Sequence, residues 1–314
     1  MKILLYVNTK QNFKKFNNLG GIEILNYELN NYLKRKYYTL LTNSLTTKIK
    51  NIKWDIIISS NDANVFNLVH TKRKILWLHN KLQIEKAFRK KQLISILFND
   101  IEAVFVSNYL NLKTTKLYCF KKRLVIPNFL PNIFAKQKQN NKNFYLSKKR
   151  IVWSVQREKG LDKLIDIWIN KINSINSNAE LHIFAIKRSH TDRLKKYKIF
   201  FHGKVSREKL LNFYQKSIGM ICLGYDETFC LNAIEAMKTG LPVISLAETA
   251  LKELIIDNKN GYKVTNIDNI HENILDLIKL NLSQRKKISI SSINFAKKFT
   301  SKYIFNKWDK FILG

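Results

Sequence analysis

Short apolar runs recur along the first half of the chain, and polar segments separate them. The runs are, in order, KILLYVN, WDIIISS, KILWLH, EAVFVS and RLVIPN. Continuous apolar runs of this length are typical of parallel strands that are buried on both faces of a sheet. Helical patterns follow most of them, for example at Ile22, Leu25, Leu29 and Leu33, which recur on one helical face. This alternation predicts an α/β fold with a doubly wound sheet.

The second half of the chain shows the same alternation. Its apolar runs are RIVWSV, ELHIFAI, KIFFHGKV, IGMICLG and LPVIS. The segment from Phe129 to Lys149 that separates the halves is polar and rich in Asn and Lys, with little apolar periodicity. A length of 314 residues suits two domains of ordinary size. We therefore predict two Rossmann-like domains that are joined by this linker.

The stretch YDETFCLNAIEAMKTGLPVIS, residues 225–245, contains two carboxylates, Glu227 and Glu235, that are separated by seven residues. The pattern predicts a short helix with Asn232 as its N-cap and a stop at Gly240. Backbone amides at the start of a helix attract an anion, and a carboxylate one turn later can accept hydrogen bonds from two ribose hydroxyls. The stretch therefore suits a nucleotide. Two solvated glutamates on an ordinary amphipathic helix are the alternative interpretation.

Within this stretch, the run ETFCLNAIEAMKTGLPV resembles the Glu-x7-Glu motif of the retaining nucleotide-sugar glycosyltransferases of family four, which reads approximately E-G-F-G-L-x-x-x-E-A-M-A-x-G-x-P-V. Thr228 and Cys230 stand where the family motif has glycine, so we expect the loop to be less free to adopt positive φ. The resemblance extends in order from Gly20 to Gly261. It implies the GT-B fold, an α/β architecture of two Rossmann-like doubly wound domains that face a cleft.

The resemblance also implies a division of labour along the chain. Residues 1–145 are expected to form an N-terminal acceptor-binding domain, and residues 146–300 a C-terminal nucleotide-sugar-binding domain. Residues 301–314 are expected to form a C-terminal helix that packs back on the N-terminal domain. The implied donor is a UDP- or GDP-linked sugar, and the implied acceptor is a glycan or a lipid-linked molecule.

Roles for residues of the motif follow from the same resemblance. Glu227 is implied to contact the donor sugar or to stabilise the oxocarbenium charge, and Glu235 to bind the ribose hydroxyls. Phe229, Cys230 and Leu231 are implied to offer backbone amides to the sugar or diphosphate. The implied reaction retains the anomeric configuration by attack on the same face, with a donor phosphate oxygen taking the proton. No cofactor and no metal are expected, in agreement with a sequence that lacks an Asp-x-Asp element.

Two features of the first half are further candidates. Gly20 and Gly21 open the run GGIE, which resembles the GG-x-E segment whose glycine loop faces the donor diphosphate in the family; a flexible loop is the alternative. His79 ends the run KILWLH. Because ligands of doubly wound sheets bind at the carboxyl ends of the strands, His79 is a candidate catalytic imidazole that contacts the transferred sugar or the acceptor. A satisfied core histidine is an equally weighted alternative.

Arg157 and Lys159 stand just ahead of a helical pattern that starts near Leu161. Two cations beside a helix amino terminus suit a diphosphate, while solvated loop cations are the alternative. The run resembles the R-x4-K-G element of the family, in which Lys159 and Gly160 match. The usual arginine position holds Ser154, and whether Arg157 takes that role stays open.

The net charge of +33 and the sequence pI near 10.0 indicate a polyanionic partner, such as nucleic acid, an anionic membrane surface or a phosphate-bearing substrate. A biased base composition of the coding DNA is the competing explanation. Residues 81–98, KLQIEKAFRKKQLISILF, combine apolar and basic residues in a way that suits a helix lying on an anionic lipid surface. A core-packed helix with a solvated basic edge is the alternative.

Cys119, Cys222 and Cys230 show neither an even count nor a close paired spacing, so no disulfide framework or zinc site is indicated and a reducing compartment fits. No signal-peptide core and no apolar run of about 18 residues is found, which favours a soluble or peripheral protein. We therefore expect a cytoplasmic enzyme, with peripheral attachment at the inner face of the membrane as a further expectation.

The expected function is sugar transfer in bacterial lipopolysaccharide or surface polysaccharide biosynthesis. A sugar epimerase or a glycogen-type phosphorylase of the same fold is one alternative. A basic nucleic-acid-binding protein is the other. The aromatic residues lie inside apolar runs and are not interleaved with basic loops, so nucleic acid is not the expected partner.

Overall fold

The computed structural model describes residues 1–13, 19–137, 149–184, 186, 192–246 and 248–314. Residues 138–148, the greater part of the predicted linker, lie outside these ranges. The chain divides into two compact units, Met1–Pro131 with Ser301–Gly314, and Asn132–Thr300. The division therefore falls at Pro131, ahead of the predicted boundary after residue 145.

The first unit is built on a parallel sheet. Its strands are β1 (Lys2–Val7), β2 (Tyr38–Thr42), β3 (Trp54–Ser60), β4 (Thr71–Leu78), β5 (Ile101–Phe105) and β6 (Lys122–Val125). Between them lie helices α1 (Gly21–Leu33), α2 (Thr47–Lys50), α3 (Ile84–Arg89), α4 (Gln92–Leu97) and α5 (Asn108–Lys113), with 3-10 turns at Asn64–Asn67 and Lys116–Tyr118. The strand order is β2-β1-β3-β4-β5-β6, and all neighbours are parallel. The order in which successive strands are added to the sheet therefore reverses between β1 and β3.

The second unit repeats this plan. Its strands are β7 (Lys149–Trp153), β8 (Ala179–Phe184), β9 (Ile199–Gly203), β10 (Gly219–Ile221), β11 (Val243–Leu246) and β12 (Gly261–Val264). Its helices are α6 (Asn132–Ala135), α7 (Leu161–Ile167), α8 (Asp192–Lys195), α9 (Arg207–Tyr214), α10 (Leu231–Lys238), α11 (Leu251–Leu254), α12 (Ile270–Lys279) and α13 (Leu282–Ala296), with 3-10 turns at Arg157–Lys159, Ile267–Asn269 and Lys297–Phe299 and a π turn at Trp168–Ile172. The order is β12-β11-β10-β7-β8-β9, again parallel, with the reversal between β7 and β10.

Helix α14 (Ser301–Leu313) follows the second unit in sequence but belongs to the first. The Trp308 ring lies 4.9 Å from the ring of Trp77 on β4. Arg73 on β4 donates to the backbone oxygens of Phe311 and Ile312 at 3.0 and 2.8 Å while it pairs with Glu102 on β5. A cation at a helix carboxyl end satisfies carbonyls that lack partners within the helix. Arg73 therefore fixes the end of α14 against the sheet.

The predicted α/β architecture of two Rossmann-like doubly wound units is confirmed. Each predicted apolar run forms a strand. The central residues of the inner strands are buried, as for Ile57 and Ile58 on β3, which are both fully inaccessible, whereas the edge strands β6 and β9 are only partly buried. Among the described residues each sheet has six parallel strands with helices between them. Burial on both faces explains why the strands appear as continuous apolar runs and not as alternating ones.

The basic segment 81–98 is the place where the predicted helix is interrupted. Lys91 adopts a left-handed conformation, φ 55°, which separates α3 from α4. A non-glycine residue with this conformation cannot continue a right-handed helix. Both helices therefore have only six residues, and the expectation of one continuous amphipathic helix is wrong.

Candidate functional site

The loop between β10 and α10 lies beyond the carboxyl end of β10, next to the point where the strand order of the second sheet reverses. Open α/β sheets bind their ligands at this kind of position. Gly224, Asp226 and Cys230 in this loop all have positive φ, of 84°, 58° and 66°. The expectation that Cys230 would hold the loop out of positive φ is therefore wrong. The conformation costs a non-glycine residue about 1–2 kcal/mol, and surrounding contacts offset it.

Helix α10 begins one residue earlier than its predicted N-cap. Cys230 is the N-cap, and its backbone is left-handed, with φ 66°. Asn232 lies inside the first turn and donates instead to the backbone oxygen of Ser154, just after β7. Asn232 therefore ties α10 to the residue that follows the neighbouring strand, while the Ala233 amide in the first turn donates to Cys230 O at 3.1 Å.

Glu235 is completely buried on α10. Its Oε1 pairs with Nη1 of Arg207, the first residue of α9, at 2.5 Å. Its Oε2 has no hydrogen-bond partner among the described residues. Burial raises the pKa of the Glu235 carboxyl, and the Arg207 guanidinium opposes that shift. The alternative of two solvated glutamates therefore does not hold for Glu235, which is buried and paired with Arg207 of α9.

Two residues of this cluster were not expected from the sequence. Arg207 follows Ser206, the N-cap of α9, in a polar run that resembles many others in the chain. Tyr214 is buried at the other end of α9, and its hydroxyl lies 2.7 Å from Ser154 Oγ. Ser154 thus occupies the position of the family arginine as a buried hydrogen-bonding residue. Only the amphipathic pattern of α9 could have indicated a buried side.

Glu227 lies at the base of the same loop, with 16% of its side chain exposed. Its backbone amide donates to Gly224 O, and its carbonyl accepts from Ala250 N. Lys159 Nζ lies 3.8 Å from Glu227 Oε1. Burial raises the pKa of Glu227, and the Lys159 ammonium opposes the rise. The structure therefore brings Lys159, Glu227 and Cys230 together, as a cation and a carboxylate beside the opening of α10.

Arg157 and Lys159 lie on one 3-10 turn but face different partners. Arg157 makes a bidentate pair with Asp162, Nε–Oδ2 2.8 Å and Nη2–Oδ1 3.0 Å, in which both side chains are more than half exposed. Exposed pairs of this kind contribute about 0–1 kcal/mol, so a ligand could displace Asp162 at little cost. Gly160 has φ 103°, and a Cβ there would lie 2.6 Å from a Leu223 side-chain atom. Glycine at this position lets the turn approach the loop after β10.

A separate cavity of about 520 Å³ lies in the first unit, at the carboxyl ends of β1 and β3. The cavity is mostly polar, and its charged and amide lining residues are Asn8, Glu23, Asn61, Asp62, Asn64, Asn80, Lys90 and Gln92. Gly20 and Gly21 adjoin it at the start of α1, where a Cβ on Gly20 would lie 2.5 Å from Glu23 Oε2. Glu23 also accepts from Thr9 Oγ1 at 2.7 Å. This is the topological switch point of the first sheet.

His79 follows β4 but does not line that cavity. It is 5% exposed, its ring lies 4.5 Å from the Trp77 ring, and its amide donates to Asn61 Oδ1 at 2.8 Å. Burial lowers the pKa of His79 to about 3. The imidazole is therefore neutral at physiological pH, and its catalytic role stays a prediction.

The predicted site residues thus fall in both units. Gly20, Gly21 and His79 belong to the first unit, and the residues from Arg157 to Glu235 belong to the second. Within the described part of the chain, no helix is both long enough and apolar enough to span a bilayer.

The family model described as "Glycosyl transferases group 1" matches residues 130–294. A curated relative, D-inositol 3-phosphate glycosyltransferase of Streptomyces griseus subsp. griseus, is 34% identical over 64 residues, which are 20% of this chain and 14% of that protein. The chain thus matches a small part of that relative's length.

Solved structures show the same fold. HepE of Anabaena in complex with UDP and glucose has a TM-score of 0.70 at 13% identity, over 99% of both chains. A variant of S. aureus TarM in complex with UDP, fondaparinux and α-GlcNAc-glycerol has a TM-score of 0.63 at 18% identity, over 81% of this chain and 54% of TarM. At these identities the likeness establishes the architecture alone.

Proposed function

The chain belongs to the glycosyl transferases group 1 family, and from that premise we propose that it moves a sugar from a nucleotide-sugar donor to a glycan or lipid-linked acceptor. The observation that carries the proposal is the cluster of Lys159, Glu227 and the opening of α10 at the switch point of the second sheet. It combines a cation for a diphosphate with a carboxylate for a sugar. The donor base is proposed to be uracil or guanine, and HepE and TarM were solved with UDP.

In the proposed reaction the diphosphate leaves the anomeric carbon and gains negative charge. The Lys159 ammonium, the α10 amides and Arg157, once released from Asp162, stabilise that charge, so a resident metal is not required. The Glu227 carboxylate stabilises the positive charge on the sugar ring. We propose that the acceptor hydroxyl attacks from the face of the leaving group, passes its proton to a phosphate oxygen, and so retains the configuration.

Glu235 is proposed to receive the ribose hydroxyls through Oε2, the buried oxygen that has no partner among the described residues. Since Glu235 is fully buried, ribose binding requires the side chains that cover it to move. In the absence of the donor, Arg207 keeps the Glu235 carboxylate charged and oriented.

The acceptor is proposed to occupy the polar cavity of the first unit. Carboxylates accept hydrogen bonds from hydroxyl groups, and side-chain amides both accept and donate them. The cavity is lined by two such carboxylates, Glu23 and Asp62, and by the amides of Asn8 and Asn80. A sugar or polyol end of the acceptor fits this lining. We propose a place in lipopolysaccharide or surface polysaccharide synthesis, on the cytoplasmic side of a membrane.

The test is a screen of UDP- and GDP-sugars for release of the nucleoside diphosphate, with and without EDTA. Lys159→Ala is expected to weaken binding of the nucleoside diphosphate by about 10–100-fold, because a charge-assisted hydrogen bond contributes about 1.5–3 kcal/mol. Binding of the matching nucleoside should change little. Lys163→Ala, which removes an exposed lysine paired with Asp268, is the matched control. Equal losses for nucleoside and diphosphate, or inactivity without added metal, would contradict the proposal.

A further inference from the structure

Two buried cysteines meet beside the loop that carries Glu227. Cys222 follows β10 and is fully inaccessible, and Cys230 caps α10 and is 6% exposed. Their Sγ atoms lie 3.5 Å apart. Their separation in sequence did not indicate a site, but the left-handed conformation of Cys230 turns the loop so that the two thiols converge.

A carboxylate completes the group. One oxygen of Glu227 and the two Sγ atoms all lie within 4.8 Å of one another. In the described part of the chain, no other group of three or more His, Cys, Asp or Glu residues brings its ligand atoms this close together. Zinc binds thiolate sulfur at about 2.3 Å in tetrahedral geometry, so two sulfurs on one ion lie about 3.8 Å apart. The observed 3.5 Å is therefore close to the bite of a single ion, and the carboxylate needs to approach by about 1 Å.

We propose that Cys222, Cys230 and Glu227 form an inhibitory site for a thiophilic divalent cation, of which Zn²⁺ is the natural representative. On binding, each thiol releases its proton to solvent, and the ion forms bonds to two sulfurs and one carboxylate oxygen. A water molecule or a donor phosphate oxygen completes the tetrahedron. The ligands carry three negative charges, the ion carries two positive charges, and the Lys159 ammonium 3.8 Å from Glu227 neutralises the remainder.

The inhibitory consequence rests on the proposed function. An ion bound to Glu227 withdraws the carboxylate from the donor sugar. The Lys159 ammonium then compensates the charge of the metal site and is less available to the diphosphate. Such an ion is distinct from a resident cofactor, since the reaction proposed above proceeds without it. A chelator is therefore expected to leave basal transfer intact and to reverse inhibition by added Zn²⁺.

Cd²⁺ is the probe for the site, because sulfur-to-cadmium charge transfer gives an ultraviolet absorption that reports thiolate bonds directly. The protein is titrated under a phosphine reductant, which keeps Cys222 and Cys230 from forming a disulfide. Wild type is expected to bind one Cd²⁺ per chain through two thiolates, and Zn²⁺ is expected to displace it. Cys119 is exposed in the first unit, so Cys119→Ser is the matched control and should bind as wild type does.

Cys230→Ala should weaken Cd²⁺ binding by more than about 100-fold, since even outer-shell partners of a metal ligand account for 10–100-fold. Glu227→Gln, at a partly exposed position that should tolerate an isosteric change, is expected to lose about 10-fold or more while it keeps the thiolate absorption. Unchanged Cd²⁺ affinity in both variants, or loss of the absorption in Cys119→Ser, would overturn the site.

The binding and transfer measurements separate the two proposals. Thiolate absorption in a chain that transfers no sugar supports the metal site and contradicts the proposed function. The opposite result is measurable sugar transfer that Zn²⁺ does not inhibit, together with no thiolate absorption on addition of Cd²⁺. It supports the proposed function and overturns the metal site.

Discussion

Glu235 lies on the most recognisable motif of the sequence, yet its environment is set by Arg207, 28 positions away. A buried carboxylate stays charged at an acceptable cost only when a partner compensates it. The motif pattern describes the helix that carries Glu235 but contains no information about α9, which supplies Arg207. The motif therefore places the candidate residues on their loop and helix, whereas their burial and pairing could not be predicted from it.

Arg207→Leu is expected to lower the free energy of unfolding by about 3–5 kcal/mol, because it leaves the Glu235 carboxylate buried without its partner. Urea unfolding of the purified chain measures the loss, and Arg193→Leu on the exposed α8 is the control. The double variant Arg207→Leu/Glu235→Leu should recover much of the stability. If the two single losses simply add in the double variant, the ion pair is not the cause.

His79 makes a prediction about acid stability. Its folded pKa, about 3, lies below the ordinary value of 6.5, so the unfolded chain takes up a proton that the folded chain does not. The stability that depends on the neutral imidazole is complete above about pH 6.5 and is lost as the pH falls toward 3. Each pH unit in that window costs up to about 1.4 kcal/mol, or about 2 kcal/mol between pH 7 and pH 5.

His79→Gln should flatten this part of the profile of unfolding free energy against pH. An imidazole with so low a pKa is a weak general base at neutral pH. Transfer activity in His79→Gln therefore decides between the two interpretations. A loss of activity without a loss of stability would support the catalytic one.

At the scale of elements, α3 and α4 present an unusual surface. Phe88, Ile94, Leu97 and Phe98 are 70%, 61%, 51% and 83% exposed. Lys86, Arg89, Lys90 and Lys91, also exposed, lie beside them in sequence. Apolar side chains next to basic ones suit the interface of an anionic bilayer, where each basic residue contributes about 1 kcal/mol. We therefore keep the membrane proposal, with two short helices in place of one long one.

Vesicle sedimentation tests this surface. Binding to anionic vesicles should be measurable at low salt and should fall steeply by about 0.5 M added salt, because charge interactions are screened over a few ångströms there. Replacing Arg89, Lys90 and Lys91 with Gln should weaken binding, and so should Phe88→Ser with Phe98→Ser. The control replaces Lys286, Lys287 and Lys298, exposed lysines of the second unit. Equal binding to anionic and neutral vesicles at low salt would identify the charge as compositional.

The strands show how far the pattern of apolar residues reaches. Runs such as WDIIISS predicted their strands correctly, because burial on both faces leaves a signal within seven consecutive residues. Strand β2, which lies at the sheet edge and is only partly buried, had no such signal. The break at Lys91 was also not predictable, since no glycine or proline marks this left-handed position in the sequence.

At the scale of the whole molecule, the first unit depends on α14. Five large apolar side chains of this helix are buried: Ile304, Phe305, Trp308, Phe311 and Ile312. At about 1.5–3 kcal/mol for each, their burial contributes about 7–15 kcal/mol, which is the full stability of an ordinary domain. Removal of residues 301–314 is therefore expected to abolish cooperative unfolding of the first unit.

Near-ultraviolet circular dichroism and urea titration of the truncated chain measure this effect. The second unit, which retains its own core, should still bind the nucleoside diphosphate. Removal of Leu313 and Gly314 alone is the control, since Leu313 is 72% exposed. An unchanged unfolding transition in the chain without residues 301–314 would show that α14 is dispensable.

The separation of α14 from the rest of its unit also orders events on the ribosome. Residues 132–300 are synthesised between Pro131 and the helix that completes the first unit. At about 5–20 residues per second, this delay lasts about 10–35 seconds. During this delay, Trp77 lacks its ring contact with Trp308, and Arg73 lacks the carbonyls of Phe311 and Ile312 to which it donates. We therefore expect the nascent first unit to leave these contacts on β4 unmade until residues 132–300 have been synthesised, and the second unit to fold before the first is complete.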